Sequence, residues 1–349
     1  MDAIDGWLVL SREGAVEAMR DAETFTVDDP RFTTGQVVGP SMLSLDGLEH
    51  TRHRTPFVAP YRRGALGELE AWIRTEARRL IADLRPQRGA ELRTRFAGPL
   101  ATATIHRSLA LVDTEPAELL GWYRAIVGAV SDLSAGVPAG PEAAEAMASL
   151  RAAVHRTIVA QPDSMLAAAR ADLTEDEVAQ NAAIVVFGAI ETAEGMITNA
   201  LAHLLGEPAL ASRAGTEPGF VPALVEESLR LEPAAAAVDR YATGPVEFRG
   251  ARIAAGDLVR VSLAAANRDP DVFNNPDALV VDRPDARRHL SFAAGPHLCI
   301  GLMLARLETV GAIEEFLEGL PDVRLDSDRS DPPTGLIFRK PDRLTVAWG

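Results

Sequence analysis

Ser291-Phe292-Ala293-Ala294-Gly295-Pro296-His297-Leu298-Cys299-Ile300-Gly301 contains the only cysteine among 349 residues. Gly295 and Pro296 precede the sulfur and Gly301 follows it. An apolar stripe at helical spacing comes next: Met303, Leu304, Leu307, Val310, Ile313, Phe316 and Leu317. The pattern predicts a tight loop opening a helix, with glycines that let backbone pass close to something flat or bulky. Unbonded N–H groups and the dipole at a helix start favour a thiolate over a thiol. Such a sulfur has three possible fates: a nucleophile with His297 as its base, a metal ligand beneath a porphyrin, or a buried structural cysteine. The loop alone does not choose among them.

Phe292-x-x-Gly295-x-His297-x-Cys299-x-Gly301, running on into Leu304-Ala305-Arg306, resembles the haem-binding signature of the cytochrome P-450 superfamily. Ala293 stands where that family usually has glycine. The resemblance implies haem b, with Cys299 as axial thiolate and metal ligand, Phe292 and Gly301 beside the cofactor, and His297 at a propionate.

Three further stretches carry the same resemblance. His50-x-x-x-Arg54 matches the opening of the helix beside the haem, where both residues bind a propionate; the planar guanidinium suits a carboxylate. Otherwise Arg52, Arg54, Arg62 and Arg63 would read as a solvated basic face. Gly188-Ala189-Ile190-Glu191-Thr192 lies in a long apolar helix that opens with the capping box Thr174-Glu-Asp-Glu177. A carboxylate there is costly without a partner or a task. The matching family motif lets the helix bulge at Gly188, uses Thr192 to hold a water, and uses Glu191 to relay protons. Glu227-x-x-Arg230, with Arg283 as third member, matches the family's buried ionic triad beneath the haem. As bare sequence, a Glu and an Arg three apart are a minor helical pair. Arg240 matches a second propionate arginine.

The composition is compatible with these readings. Hydrophobic residues make up 47% and the net charge is −15, which disfavours wholesale nucleic-acid binding. A single cysteine fits a reducing compartment. No secretory leader is visible and the longest apolar run, near 182–190, is too short to span a bilayer. The expectation is a soluble, cytoplasmic protein with no membrane or nucleic-acid partner.

The expected fold is mainly α with a small β region: the cytochrome P-450 helical prism around a long central helix, one domain over 1–349 with a short N-terminus. Local pattern predicts a strand at 6–11, a helix at 13–21, a long loop at 24–47, and helices from 64 to 160. Strands follow from Val238, and a terminal hairpin runs from Thr334–Phe338 to Val346.

The resemblance implies a monooxygenase that inserts one oxygen atom from O2 into a small, largely apolar organic substrate, in secondary metabolism or catabolism. Electrons must come from outside, because no flavin or iron–sulfur motif is present; the expected donor is a ferredoxin with its reductase, and Arg52, Arg62, Arg63 and Arg306 are its expected docking cluster. The substrate wall is expected at Ala235, Ala236 and Val238, facing Ile184, Phe187 and Gly188, with Met42, Leu43 and Ile337 above. The alternatives are haem-thiolate coupling, dehydration or peroxide-driven chemistry, and, last, a haem-free relative that activates a glycosyltransferase.

Overall fold

The structure is a computed structural model, and it describes residues 6–349. Its contacts group the chain into two compact units, each assembled from separated stretches: 1–25, 67–101 and 191–349 in the first, 26–66 and 102–190 in the second.

The first unit holds the β structure. A four-stranded sheet runs in the order Trp7–Val9, Leu258–Ser262, Ala237–Ala242, Phe25–Thr26. Trp7–Val9 is parallel to Leu258–Ser262, which is antiparallel to Ala237–Ala242. The helix Arg12–Arg20, capped by the Ser11 hydroxyl, buries Ala15, Ala18 and Met19 against this sheet in a core with Phe25, Val259 and Val261. Val246–Phe248 and Ala251–Ile253 form a hairpin whose turn, Arg249-Gly250, has φ of 52° and 80°, the mirror-image geometry that suits twisted strands.

Two long helices of this unit, Gly67–Leu84 and Leu302–Gly319, pack along each other. Arg74 and Arg78 grip Glu315 across that seam at 3.3 and 2.6 Å. The chain's last strand, Thr345–Ala347, departs from expectation. It pairs with Gly89–Glu91 and Arg324–Leu325 rather than with 334–338. What remains at 334–340 is a tight turn closed by a Thr334–Lys340 bridge.

The second unit is helical. Pro116–Ser134 packs on Pro141–Ala160, and both receive the short helix Thr33–Val38. That helix lies inside the stretch expected to be loop. Its Thr, Gly and Val residues are weak helix formers, so propensity did not announce it. The central helix, Glu175–Gly206, begins in this unit and continues into the first. By length and hydropathy it passes for a membrane span, which the run-length reading missed, but 72% of the qualifying window is buried inside the protein, as in a core helix. It is unbroken through Gly188, where a bulge was expected.

Candidate active site

In the first unit, the cysteine loop connects Leu290 to the helix Leu302–Gly319. The Ala293 amide donates to Leu290 O at 2.8 Å, Leu298 N to Gly295 O at 3.1 Å, and Cys299 N to Phe292 O at 3.0 Å. These bonds fold the loop back on itself and set Cys299 at its exposed end. Leu298 beside it is 40% exposed, an apolar surface at the lip of the loop. Gly301 flanks the sulfur: a Cβ built there would lie 3.9 Å from Sγ and touch nothing else.

Gly295 has another role. Its φ is +75°, and a Cβ would come within 2.4 Å of Met19 O. The bulky object that this glycine passes is therefore the end of the helix Arg12–Arg20. Ala293 also has a positive φ, 60°, where a side chain is disfavoured. The position at which the resemblance expects glycine is thus one whose backbone conformation favours glycine.

Beneath the loop, the helix Phe220–Leu231 carries two adjacent glutamates into two ionic networks. Glu227 and Arg230 are wholly buried and joined by two 2.8 Å bonds. Arg283 Nε donates to Glu227 at 3.1 Å. The remaining guanidinium N–H groups go to backbone carbonyls: Arg230 to Asn267, Pro276 and Ala278, and Arg283 to Asn274 and Asn275. The triad thus fastens a stretch with little regular structure of its own. Asn267 links it upward, accepting from Leu290 N at 2.6 Å and donating to Ser291 Oγ at 2.9 Å.

The neighbouring glutamate was not singled out by motif. Glu226 accepts from Arg306 at 2.6 and 3.2 Å and lies 3.2 Å from His289 Nε2. Arg306 in turn lies over the Phe292 ring, 4.4 Å from its centroid, so Phe292 is held by a cation–π contact. Burial works to raise the Glu226 carboxyl, but the bonds from His289 and Arg306 prevail and bring it down from 4.5 to about 2.

Other expected residues fall as follows. In the first unit, Arg240 is buried in the sheet with Nη1 donating to Asp239 O at 2.8 Å. His297 is half-buried. Ala235 and Ile337 are half-buried, while Ala236 is buried, with its N–H on Ile337 O at 2.7 Å and its carbonyl accepting from Ala264 N at 3.0 Å. Val238 packs against the sheet core. Glu191 and Thr192 are half-buried, and Glu191 Oε1 lies 2.7 Å from Lys340 Nζ.

In the second unit, His50 and Arg54 sit one turn apart on the helix Gly47–Val58. Met42, Ile184 and Phe187 are buried, Leu43 is half-buried and Gly188 is exposed. Asn181, another residue missed by sequence, accepts from Met42 N at 2.8 Å and donates to Glu177 O at 2.8 Å, with His53 Nδ1 2.9 Å away. Two members of the expected basic docking cluster have internal partners. Arg52 is bound by Glu177 at 2.6 Å and Glu49 at 2.7 Å, and Arg306 by Glu226. Arg62 and Arg63 are exposed.

Haem is the group that the resemblance assigns to this loop, and the donor set fits it. A lone exposed sulfur is presented beside a glycine just before a helix start, with loop amides turned inward and Leu298 exposed next to it. Among the described residues no group of three or more His, Cys, Asp or Glu side chains could hold a metal by itself.

Comparison with known proteins gives a consistent answer. The family model described as Cytochrome P450 matches residues 219–333. A 20-oxo-5-O-mycaminosyltylactone 23-monooxygenase from Streptomyces fradiae is 33% identical over 88% of this chain and 74% of that protein. Cytochrome P450-SU2 from Streptomyces griseolus is 33% identical over 99% of this chain and 89% of its own length. Among solved structures, P450BioI in complex with acyl carrier protein ligated to hexadec-9Z-enoic acid superposes with a TM-score of 0.88 at 25% identity, covering 98% of this chain and 92% of that one.

Proposed function

The chain belongs to the cytochrome P450 family and is a monooxygenase, and we propose that it inserts one atom of dioxygen into a small, largely apolar organic substrate of secondary metabolism, the other atom leaving as water. The Streptomyces fradiae relative, named for an oxygenation of this kind, supports that class of reaction. The setting of the sulfur carries the reading: an exposed Cys299, its loop closed by its own amides, stands on a helix start braced by two ionic networks.

Haem b, when bound, supplies cleavage of the O–O bond and an oxidant able to attack carbon. The chain's residues do the rest. Cys299 would ligate the iron as thiolate, with Gly301 beside the sulfur. Arg240, buried in the sheet, and His297 would pair with the propionates. Thr192 holds a water by its hydroxyl, and Glu191, the neighbouring carboxylate, accepts and returns protons. The side chains that the resemblance assigns to substrate are apolar or small, from Met42, Leu43, Ile184 and Phe187 to Ala235 and Ile337, so the substrate's buried part is apolar. A ferredoxin with its reductase supplies electrons to a cytoplasmic protein that works as one domain, and Arg62 and Arg63 steer that donor.

The test is oxidation of a panel of apolar candidates by the purified protein with a ferredoxin and its reductase under ¹⁸O2. One labelled oxygen in the product, and none from water, is the expected result. Product free of label, or turnover that peroxide supports and the ferredoxin system with O2 does not, contradicts the reading.

A further inference from the structure

Lys340 is the only lysine in the sequence; every other cation counted among its 35 Lys and Arg residues is an arginine. The exception, in the turn at 334–340, reaches the central helix. Its Nζ is 2.7 Å from Glu191 Oε1 and 2.7 Å from Glu194 Oε1, with all three side chains 13–14% exposed. The two glutamates are three residues apart and share a helix face, where two carboxylates repel. Arg93 adds a more distant contact to Glu194 at 3.5 Å.

The chemistry favours lysine here. A guanidinium is a planar fork that matches one carboxylate side-on. Two carboxylate oxygens converging on a point are better met by an ammonium, a compact charge with three donors that rotate.

The backbone delivers that ammonium by a fixed route. Lys340 closes the turn that begins at Thr334, with Thr334 N donating to Lys340 O at 3.1 Å and Lys340 N to Thr334 O at 3.2 Å. The turn is fastened to the segment after Pro233, by Ala236 N on Ile337 O at 2.7 Å and Arg339 N on Ala234 O at 2.9 Å. Asn199, on the central helix, donates to Arg339 O at 2.9 Å. Gly195 makes the approach possible, since a Cβ there would lie 2.9 Å from Ala234 Cβ and 3.7 Å from Lys340 Cβ.

We propose that Lys340 is a positioning residue for Glu191. Its ammonium, shared between Glu191 and Glu194, fixes where the Glu191 carboxylate points, and the turn carrying Lys340 ties that direction to Ile337 and Ala236. The inference rests on Glu191 being the proton-relaying acid proposed above. Without Lys340, Glu191 and Glu194 repel and the Glu191 carboxylate turns away from Glu194. Proton delivery then loses its direction, and electrons end in peroxide instead of product.

The sole lysine makes the geometry directly measurable. Reductive methylation of the full-length holoprotein with formaldehyde, read by peptide mapping, modifies one side chain only, and mapping separates it from the α-amine. Held by two charge-assisted bonds, Lys340 should react about tenfold or more slowly than an exposed lysine, and Glu191→Gln, which leaves Glu194 as its partner, should recover part of that rate. Labelling at the rate of an exposed lysine, or no acceleration in Glu191→Gln, overturns the inference without any activity measurement.

The functional arm compares Lys340→Met with Glu191→Gln. Both should keep haem content and the substrate-induced spectral shift while product formed per electron pair falls severalfold. Lys340→Arg should keep thermal stability yet recover coupling only in part. If Glu191→Gln uncouples and Lys340→Met does not, the positioning role is wrong. If Glu191→Gln itself leaves coupling intact, the relay reading fails and takes the consequence for coupling with it, while the labelling result reports separately on the clamp.

Discussion

Glu226 and Glu227 are neighbours on one buried helix, yet they organise different regions. Glu227 faces Arg230 and Arg283, and every member of that network is less than a tenth exposed. Its arginines spend their remaining donors on the carbonyls of 267–278. Glu226 faces Arg306 and His289, and the Arg306 side chain is 23% exposed. That network ends on the Phe292 ring of the cysteine loop. The first is a sealed staple for irregular backbone, and the second is a partly wet brace for the cysteine loop. The difference follows from burial: a charge sealed away must keep all its partners, whereas one at the margin can find water when a partner is lost.

The comparison predicts unequal damage. Glu227→Gln leaves Arg230 and Arg283 buried around a neutral amide and should cost about 3–5 kcal/mol, the range for breaking a buried pair. Denaturant unfolding should show that loss, and hydrogen exchange should rise first at 267–283. Glu226→Gln should cost less, about 1–3 kcal/mol, the scale of a lost bond to a charged group. Its exchange should rise at 289–306 instead. Equal losses, or the same exchange map for both, would dissolve the distinction.

Acid sharpens it. The Glu226 carboxyl stands near 2 in the folded protein against an ordinary 4.5, so its contribution is fully present above about 4.5 and is lost as the pH falls from there toward about 2. Over that window the wild type should lose stability more steeply than Glu226→Gln. Parallel acid titrations of the two proteins would mean that the brace carries no such linkage.

The smallest effect lies within the loop that Glu226 braces. Ala293 holds a φ of 60°, and Ala293→Gly should stabilise by about 0.5–1 kcal/mol, as relief of left-handed strain outweighs the added freedom of the unfolded chain. The gain should appear as slower exchange around 290–299 and leave 267–283 unchanged. A destabilised variant would show that the alanine methyl has packing value there.

What was legible in the sequence was local. The cysteine loop, the Glu227-x-x-Arg230 pair and the capped central helix each lie within a few residues of their own explanation. What was missed is long-range. Glu226 meets Arg306 80 residues away, and Lys340 meets Glu194 across 146. Thr345–Ala347 pairs with a three-residue strand, Gly89–Glu91, too short to show a period. A hint existed in two cases: a second glutamate on a buried helix, and a lysine with no other lysine in the chain. The helix Thr33–Val38 gave none, because its β-branched residues and glycine argue against the helix that tertiary packing imposes. Nor did the basic run show its internal partner: Arg52 is paired with Glu177, 125 residues on.

The central claim is that Cys299 presents a thiolate to haem iron from this loop. The most direct measurement is the absorption spectrum of the reduced protein with carbon monoxide, for the wild type and for Cys299→Ala. The wild type should give the red-shifted band that marks a thiolate ligand, and the variant should lose it while the Glu226 and Glu227 networks keep it folded by circular dichroism. A wild-type protein that purifies folded but neither contains nor takes up haem, or a Cys299→Ala variant that keeps the red-shifted band, would contradict it.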